Sequence, residues 1–91
     1  MAVIGVDSHK DVLAGCLVDG AGRSVEHRDI VNNPTGHAEL VDWAVANNVE
    51  RVAIEGSGNF GRPATLALLA AEIAVVEVPP QMTAHARKGQ R

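Results

Sequence analysis

Aromatic side chains are almost absent from this chain: Trp43 and Phe60 are the only two among its 91 residues. A core must therefore be assembled from Val, Leu, Ile and Ala, and alanine removes little apolar surface from water. Cysteine occurs once, as Cys16 in an apolar run, which excludes an internal disulfide and marks a residue expected in the core. No charged-then-apolar leader opens the chain and no apolar run is long enough for a membrane span, so no membrane association is expected and the cytoplasm is the expected compartment. Excess positive charge is missing as well: the formal net charge is −3, which argues against nucleic-acid binding by bulk charge. Any nucleic-acid role has to rest on a site, although Arg87, Lys88 and Arg91 form a local basic cluster. What is present, 46% hydrophobic residues without a low-complexity linker, fits one domain. At this size folding buries only about 60 to 65 per cent of the unfolded chain's surface, so stability is expected to be modest unless a partner or a further segment contributes.

The most informative stretch is Val3-Ile4-Gly5-Val6-Asp7-Ser8-His9-Lys10, a short apolar run that stops on a carboxylate and turns. Apolar residues bounded by polar ones read as a strand covered on both faces. The pattern recurs in Arg51-Val52-Ala53-Ile54-Glu55, followed by Gly56-Ser57-Gly58. If the two strands lie side by side and parallel, Asp7 and Glu55 meet at the carboxyl edge of the sheet, where ligands of open α/β sheets bind.

Taken in order, the first strand leads through a polar turn to a second at residues 12–18, making a hairpin. Asp19-Gly20-Ala21-Gly22 is a strong turn signal. Residues 23–31 follow as a strand whose Arg23, Glu26, Arg28 and Asp29 suit a sheet edge. Asn33 as N-cap and Pro34 at the first helical position start a helix that runs to about Asn47, with Leu40, Val41, Ala44 and Val45 on one stripe and Trp43 flanking it. Residues 50–55 form the fourth strand, parallel to the first by a right-handed crossover. A second helix begins near Gly61-Arg62-Pro63, and its residues 64–71 are apolar on nearly every face, which predicts burial on more than one side. Residues 73–78 form a fifth strand stopped by Pro79-Pro80, and residues 81–91 read as a basic arm or the start of a helix. The order is β-β-β-α-β-α-β: a three-strand antiparallel meander followed by parallel strands, in a mixed α/β sheet.

From these residues alone Asp7 and Glu55 admit two readings, hard oxygen ligands for a divalent cation or strand-end acids facing solvent. Glu77 also ends a strand, and solvent is its expected neighbour. Gly56-Ser57-Gly58 could cradle a phosphate but lacks a following Lys-Ser/Thr, so a tight turn is the plainer reading. Lys10, Arg62, Arg87, Lys88 and Arg91 could follow a nucleic-acid backbone, or be ordinary surface cations.

The arrangement resembles the first part of a ribonuclease H-like fold. More narrowly, Ile4-Gly5-Val6-Asp7-Ser8-His9-Lys10, the segment with Gly36, Leu40 and Trp43, Ile54-Glu55-Gly56-Ser57-Gly58 and Val76-Glu77-Val78-Pro79-Pro80 together resemble DEDD-type insertion-sequence transposases, the IS one-ten family, whose amino-terminal domain is similar to the Holliday-junction resolvase RuvC. The resemblance implies a metal-dependent DNA strand-cleaving and joining enzyme of the bacterial cytoplasm, with Mg²⁺ or Mn²⁺ as cofactor and with DNA, and in some cases a guide RNA, as partner. It implies that Asp7 and Glu55 are the first two of four metal-holding acids. The family's other two acids, expected in a Lys-Ser-Asp type sequence after a basic stretch like residues 86–91, are absent, as is its second, serine-bearing domain. The resemblance therefore implies one partial domain over residues 1–91, with sheet and helices in 1–80, weak metal binding and no activity alone. Glu72 departs from the glycine that relatives place between the second helix and the fifth strand, where a left-handed helix stop is wanted. Because the fifth strand would be a free edge and apolar surface would be left uncovered, a homodimer is expected. Two further expectations stand beside this one: a nucleotide-phosphate-binding module of the actin and sugar-kinase type, and a non-catalytic remnant acting by self-association.

Overall fold

The apolar runs become strands and the capped segments become helices. The computed structural model describes residues 1–79 as strands β1 (Val3–Ser8), β2 (Val12–Val18) and β3 (Ser24–Val31), helix α1 (Pro34–Ala46), strand β4 (Arg51–Glu55), helix α2 (Arg62–Ala70) and strand β5 (Val75–Val78). The five strands form one mixed sheet in the order β3-β2-β1-β4-β5. β1 and β2 pair antiparallel, as do β2 and β3, whereas β4 is parallel to β1 and β5 is parallel to β4. The meander, the parallel return and both free edges, β3 and β5, match the sequence reading.

Local chemistry sets each boundary. Asp19 Oδ1 accepts from the backbone N–H groups of Ala21 and Arg23, and Gly22 takes a positive φ of 83°, closing the β2–β3 turn. Asn33 caps α1 through the N–H of Gly36 at 2.9 Å, with Pro34 in the first turn. Both helices end in the same hydrogen-bonded device. In α1 the N–H of Asn48 (φ 48°) bonds Val45 O and that of Val49 bonds Ala44 O; in α2 the N–H of Glu72 (φ 62°) bonds Leu69 O and that of Ile73 bonds Leu68 O. Each is a Schellman stop with a residue other than glycine in the left-handed position. The departure at Glu72 thus leaves the geometry intact.

Alternation then sorts side chains between faces. Ile4, Val6, Leu13, Leu17, Ile30, Val52 and Ile54 are buried with Leu40, Trp43 and Ala44 of α1 and Ala64 and Leu68 of α2. The crossovers from β3 to β4 and from β4 to β5 step along the sheet in the same direction, so the right-handed rule puts both helices on one face. Among the described residues, the opposite face carries no helix. Cys16 lies on the other face, half-buried rather than in the core. Trp43, expected beside the stripe and in the core, is 2% exposed and belongs to the core. α2 buries Ala64 and Leu68 and leaves Leu66 and Leu69 about half exposed, so its apolar circumference is covered on one side only. β5 begins at Val75, later than residue 73, because Ile73 is taken up by the stop of α2.

Candidate functional site

β1 and β4 are neighbours and parallel, and their register pairs Asp7 with Glu55. Adjacent strands lie about 4.8 Å apart, so two carboxylates leave neighbouring backbones at the same edge and, sharing a register position, on the same face. That face is the one opposite the two helices. Gly5, Ala14, Cys16, Ala53 and Val78 join the two acids around a groove of about 280 Å³. Its floor is small and apolar, and its polar groups are concentrated at the carboxyl edge.

The two acids differ in their surroundings. Asp7 is about a quarter exposed, and its Oδ2 lies 3.2 Å from Nε2 of His9 in the β1–β2 turn. Glu55 is half-buried, and its Oε2 is buried with no hydrogen-bond partner among the described residues. A buried carboxylate oxygen without a donor is costly unless a cation or proton meets it. Hard oxygen donors of this kind suit Mg²⁺ or Mn²⁺, and Mg²⁺ commonly takes one or two protein carboxylates with water filling the remaining positions. The pair fits such an ion in part: among the described residues no group of three or more His, Cys, Asp and Glu side chains converges on one point.

The other predicted residues are distributed as follows. Lys10 is exposed in the turn after β1, and Arg62 is exposed at the first position of α2, so both belong to segments that follow the acid-bearing strands. Arg87, Lys88 and Arg91 lie outside the described residues. Glu77 is exposed on β5 beside Ile54, out of register with the acids, and accepts a short hydrogen bond from the Ser57 hydroxyl. The Gly56 to Gly61 turn winds inward: Gly56 O accepts from the N–H groups of Asn59 and Gly61. These bonds close a tight turn after β4. The turn sits hard against β1, because a Cβ on Gly61 would come within 2.6 Å of Ser8 Oγ and 2.8 Å of Ile54 Cγ2.

Sequence reasoning missed Asn32. One residue beyond β3, its Nδ2 donates to the carbonyls of His9 and Phe60, both at 2.9 Å, and its Oδ1 lies 2.7 Å from Nε2 of His37. His37 is buried, and burial holds its imidazole below the usual histidine range. The doublet Asn32-Asn33 carried a signal, since one cap needs only one asparagine.

With this geometry in hand, comparison with known proteins is decisive at the level of family. The profile of the IS110-type DEDD transposases, described simply as transposase, matches residues 4–91. The chain belongs to that family. No curated protein matched the chain. Among solved structures, this transposase chain resembles RuvC of T. thermophilus in complex with a Holliday junction substrate, with a TM-score of 0.74 and 18% identity over 94% of this chain and 69% of that one. A second Thermus thermophilus RuvC structure gives 0.67 and 22% identity over 88% of this chain and 62% of that one. The fowlpox virus Holliday junction resolvase gives 0.63 and 11% over 88% of this chain and 62% of that one. The transposase chain thus spans roughly two thirds of the resolvases it matches, and at these identities the likeness establishes a RuvC-like fold. Among the described residues no helix is long and apolar enough to cross a membrane.

Proposed function

We propose that this chain is the amino-terminal nuclease part of a DEDD transposase, one partial RuvC-like domain over residues 1–91, in which Asp7 and Glu55 are catalytic metal ligands. One observation carries the reading: two acids in register at the carboxyl edge of adjacent parallel strands, one of them with an orphaned, buried oxygen. When bound, Mg²⁺ or Mn²⁺ would supply charge for a phosphodiester oxygen and lower the pKa of an attacking water. The chain's own side chains do the rest. Asp7 and Glu55 hold the ion, and His9 steadies the Asp7 carboxylate from the turn side. Lys10 and Arg62, exposed in the flanking segments, meet DNA phosphates by charge, joined by Arg87, Lys88 and Arg91. The full-length protein cleaves and rejoins DNA in the bacterial cytoplasm, with a guide RNA as a further partner where the family uses one. The likeness of fold to T. thermophilus RuvC, solved in complex with a Holliday junction substrate, supports branched DNA as the first substrate to try.

Two carboxylates give few ligands, so this chain alone binds Mg²⁺ or Mn²⁺ weakly and does not cleave DNA detectably. Self-association is part of the proposal: among the described residues β5 is an unpaired edge carrying the exposed Val76, and Leu66 and Leu69 of α2 are exposed as well, and such edges pair with other chains. Titration of Mn²⁺ followed by electron paramagnetic resonance, with branched-DNA cleavage measured in parallel, tests the site. Weak binding abolished by Asp7→Ala and by Glu55→Ala, without cleavage, is expected. Binding indifferent to both substitutions contradicts the ligand assignment, and robust cleavage lost in Asp7→Ala contradicts the inactivity of the chain alone.

A further inference from the structure

We propose that Asn32 is a positioning residue of the Asp7–Glu55 site, whose side-chain amide clamps together the two segments that follow the acid-bearing strands. The inference rests on the metal-site reading above and deepens it. A primary amide offers two N–H donors and one accepting oxygen, and all three are used here by partners far apart in sequence. Nδ2 donates to the carbonyl of His9 in the β1–β2 turn and to the carbonyl of Phe60 in the β4–α2 segment, each at 2.9 Å. Oδ1 faces Nε2 of His37 on α1 at 2.7 Å.

The orientation of the amide follows from its partners. Carbonyl oxygens only accept, so the amide nitrogen must face both of them, and the oxygen is left for His37, whose Nε2 carries the proton and donates. The Asn32 backbone is fixed too, its N–H donating to Asp11 O at 3.0 Å. Asn32 thereby sits between the residues that follow Asp7 and those that follow Glu55.

A direct line leads from the clamp to the candidate ligands. His9 gives its carbonyl to Asn32 and its ring to Asp7, with Nε2 3.2 Å from Oδ2. Releasing the His9 backbone therefore frees the group that orients the Asp7 carboxylate. On the other side, Phe60 precedes Gly61, whose close approach to Ser8 and Ile54 docks the β4–α2 segment against β1. Residues that orient metal ligands without touching the ion commonly change affinity about 10- to 100-fold when removed.

The test uses the whole chain and three measurements. In the wild type, hydrogen-bond scalar couplings from Asn32 Nδ2 to the carbonyl carbons of His9 and Phe60 are expected, and their absence overturns the clamp without any variant. In Asn32→Ala, or in Asn32→Leu should the alanine variant fold poorly, the heteronuclear NOE at the His9, Lys10, Phe60 and Gly61 amides should fall while strand amides hold. Mn²⁺ affinity, read by paramagnetic broadening at the Asp7 and Glu55 amides, should weaken about tenfold or more. Ile30→Val is the control, a core change expected to lower thermal stability without altering loop order or affinity. An Asn32 variant that is merely less stable, with Mn²⁺ affinity unchanged, overturns the positioning role. A wild type that binds no Mn²⁺ at Asp7 and Glu55 overturns the metal-site reading itself and with it the role assigned to Asn32.

Discussion

At the scale of single residues, backbone sterics make the sharpest demands. Gly36 lies in the first turn of α1, where a Cβ would sit 1.7 Å from Val31 O. A carbonyl cannot swing away as a flexible side chain can, so Gly36→Ala should destabilise by about 1–3 kcal/mol or more, measured by urea unfolding. Glu72 presents the opposite case. It holds φ 62° at the stop of α2 and is exposed, so its side chain adds strain and little packing. Glu72→Gly relieves about 1–2 kcal/mol of left-handed strain but loosens the unfolded chain, for an expected net gain of about 0.5–1 kcal/mol. A lower midpoint in the glycine variant would contradict the Schellman assignment. His37 supplies a pH dependence. Burial lowers its pKa from the ordinary 6.5, so the unfolded chain binds the proton more readily than the folded one. Stability is full above about pH 6.5 and declines as pH falls through the lowered folded value. Urea midpoints at pH 7 and pH 5 should differ for the wild type, and the difference should shrink in His37→Gln.

At the scale of elements, α1 is held to the meander by Trp43 and what surrounds it. The indole Nε1 donates to Glu26 at 2.9 Å, the Arg28 guanidinium stands 4.8 Å from the ring centroid, and Gly15 lies beneath, where a Cβ would be 2.7 Å from Cζ3. The hydrogen bond from Arg28, then that from Trp43, holds the Glu26 carboxyl below its ordinary 4.5. This cluster joins β2, β3 and α1, and Gly15→Ala should displace the indole, cost about 1–3 kcal/mol and shift the Trp43 emission. Unchanged emission and stability would mean that the ring does not rest on Gly15. The elements themselves were readable in the sequence, since Asn33-Pro34, Asp19 to Gly22 and the strand-acid echo are local signals. Which face each element covers was not. Cys16 sits in an apolar run that looks like core, yet its side depends on crossover direction, a property of topology rather than composition. Asn32 was overlooked for the same reason, because the carbonyls it binds belong to His9 and Phe60, 23 and 28 residues away.

At the scale of the whole molecule, one sheet face carries both helices and the other carries the paired acids. The adjacency of the first and fourth strands was readable because a helical crossover after a meander has few allowed placements, and the register of Asp7 with Glu55 follows from two strands ending on the same kind of residue. With β5 at an edge and Leu66, Leu69 and Val76 exposed, sedimentation at micromolar concentration should report a dimer, and a well-folded 9.5 kDa monomer would refute self-association. The central claim is that Asp7 and Glu55 share one divalent ion. A crystal of the chain grown with Mn²⁺ and measured at the manganese absorption edge tests it most directly. The expected result is one anomalous peak between the two carboxylates, in contact with Asp7 and with the orphaned Glu55 Oε2, and missing from crystals of Asp7→Asn. Carboxylates turned apart, with manganese bound elsewhere or nowhere, would contradict it.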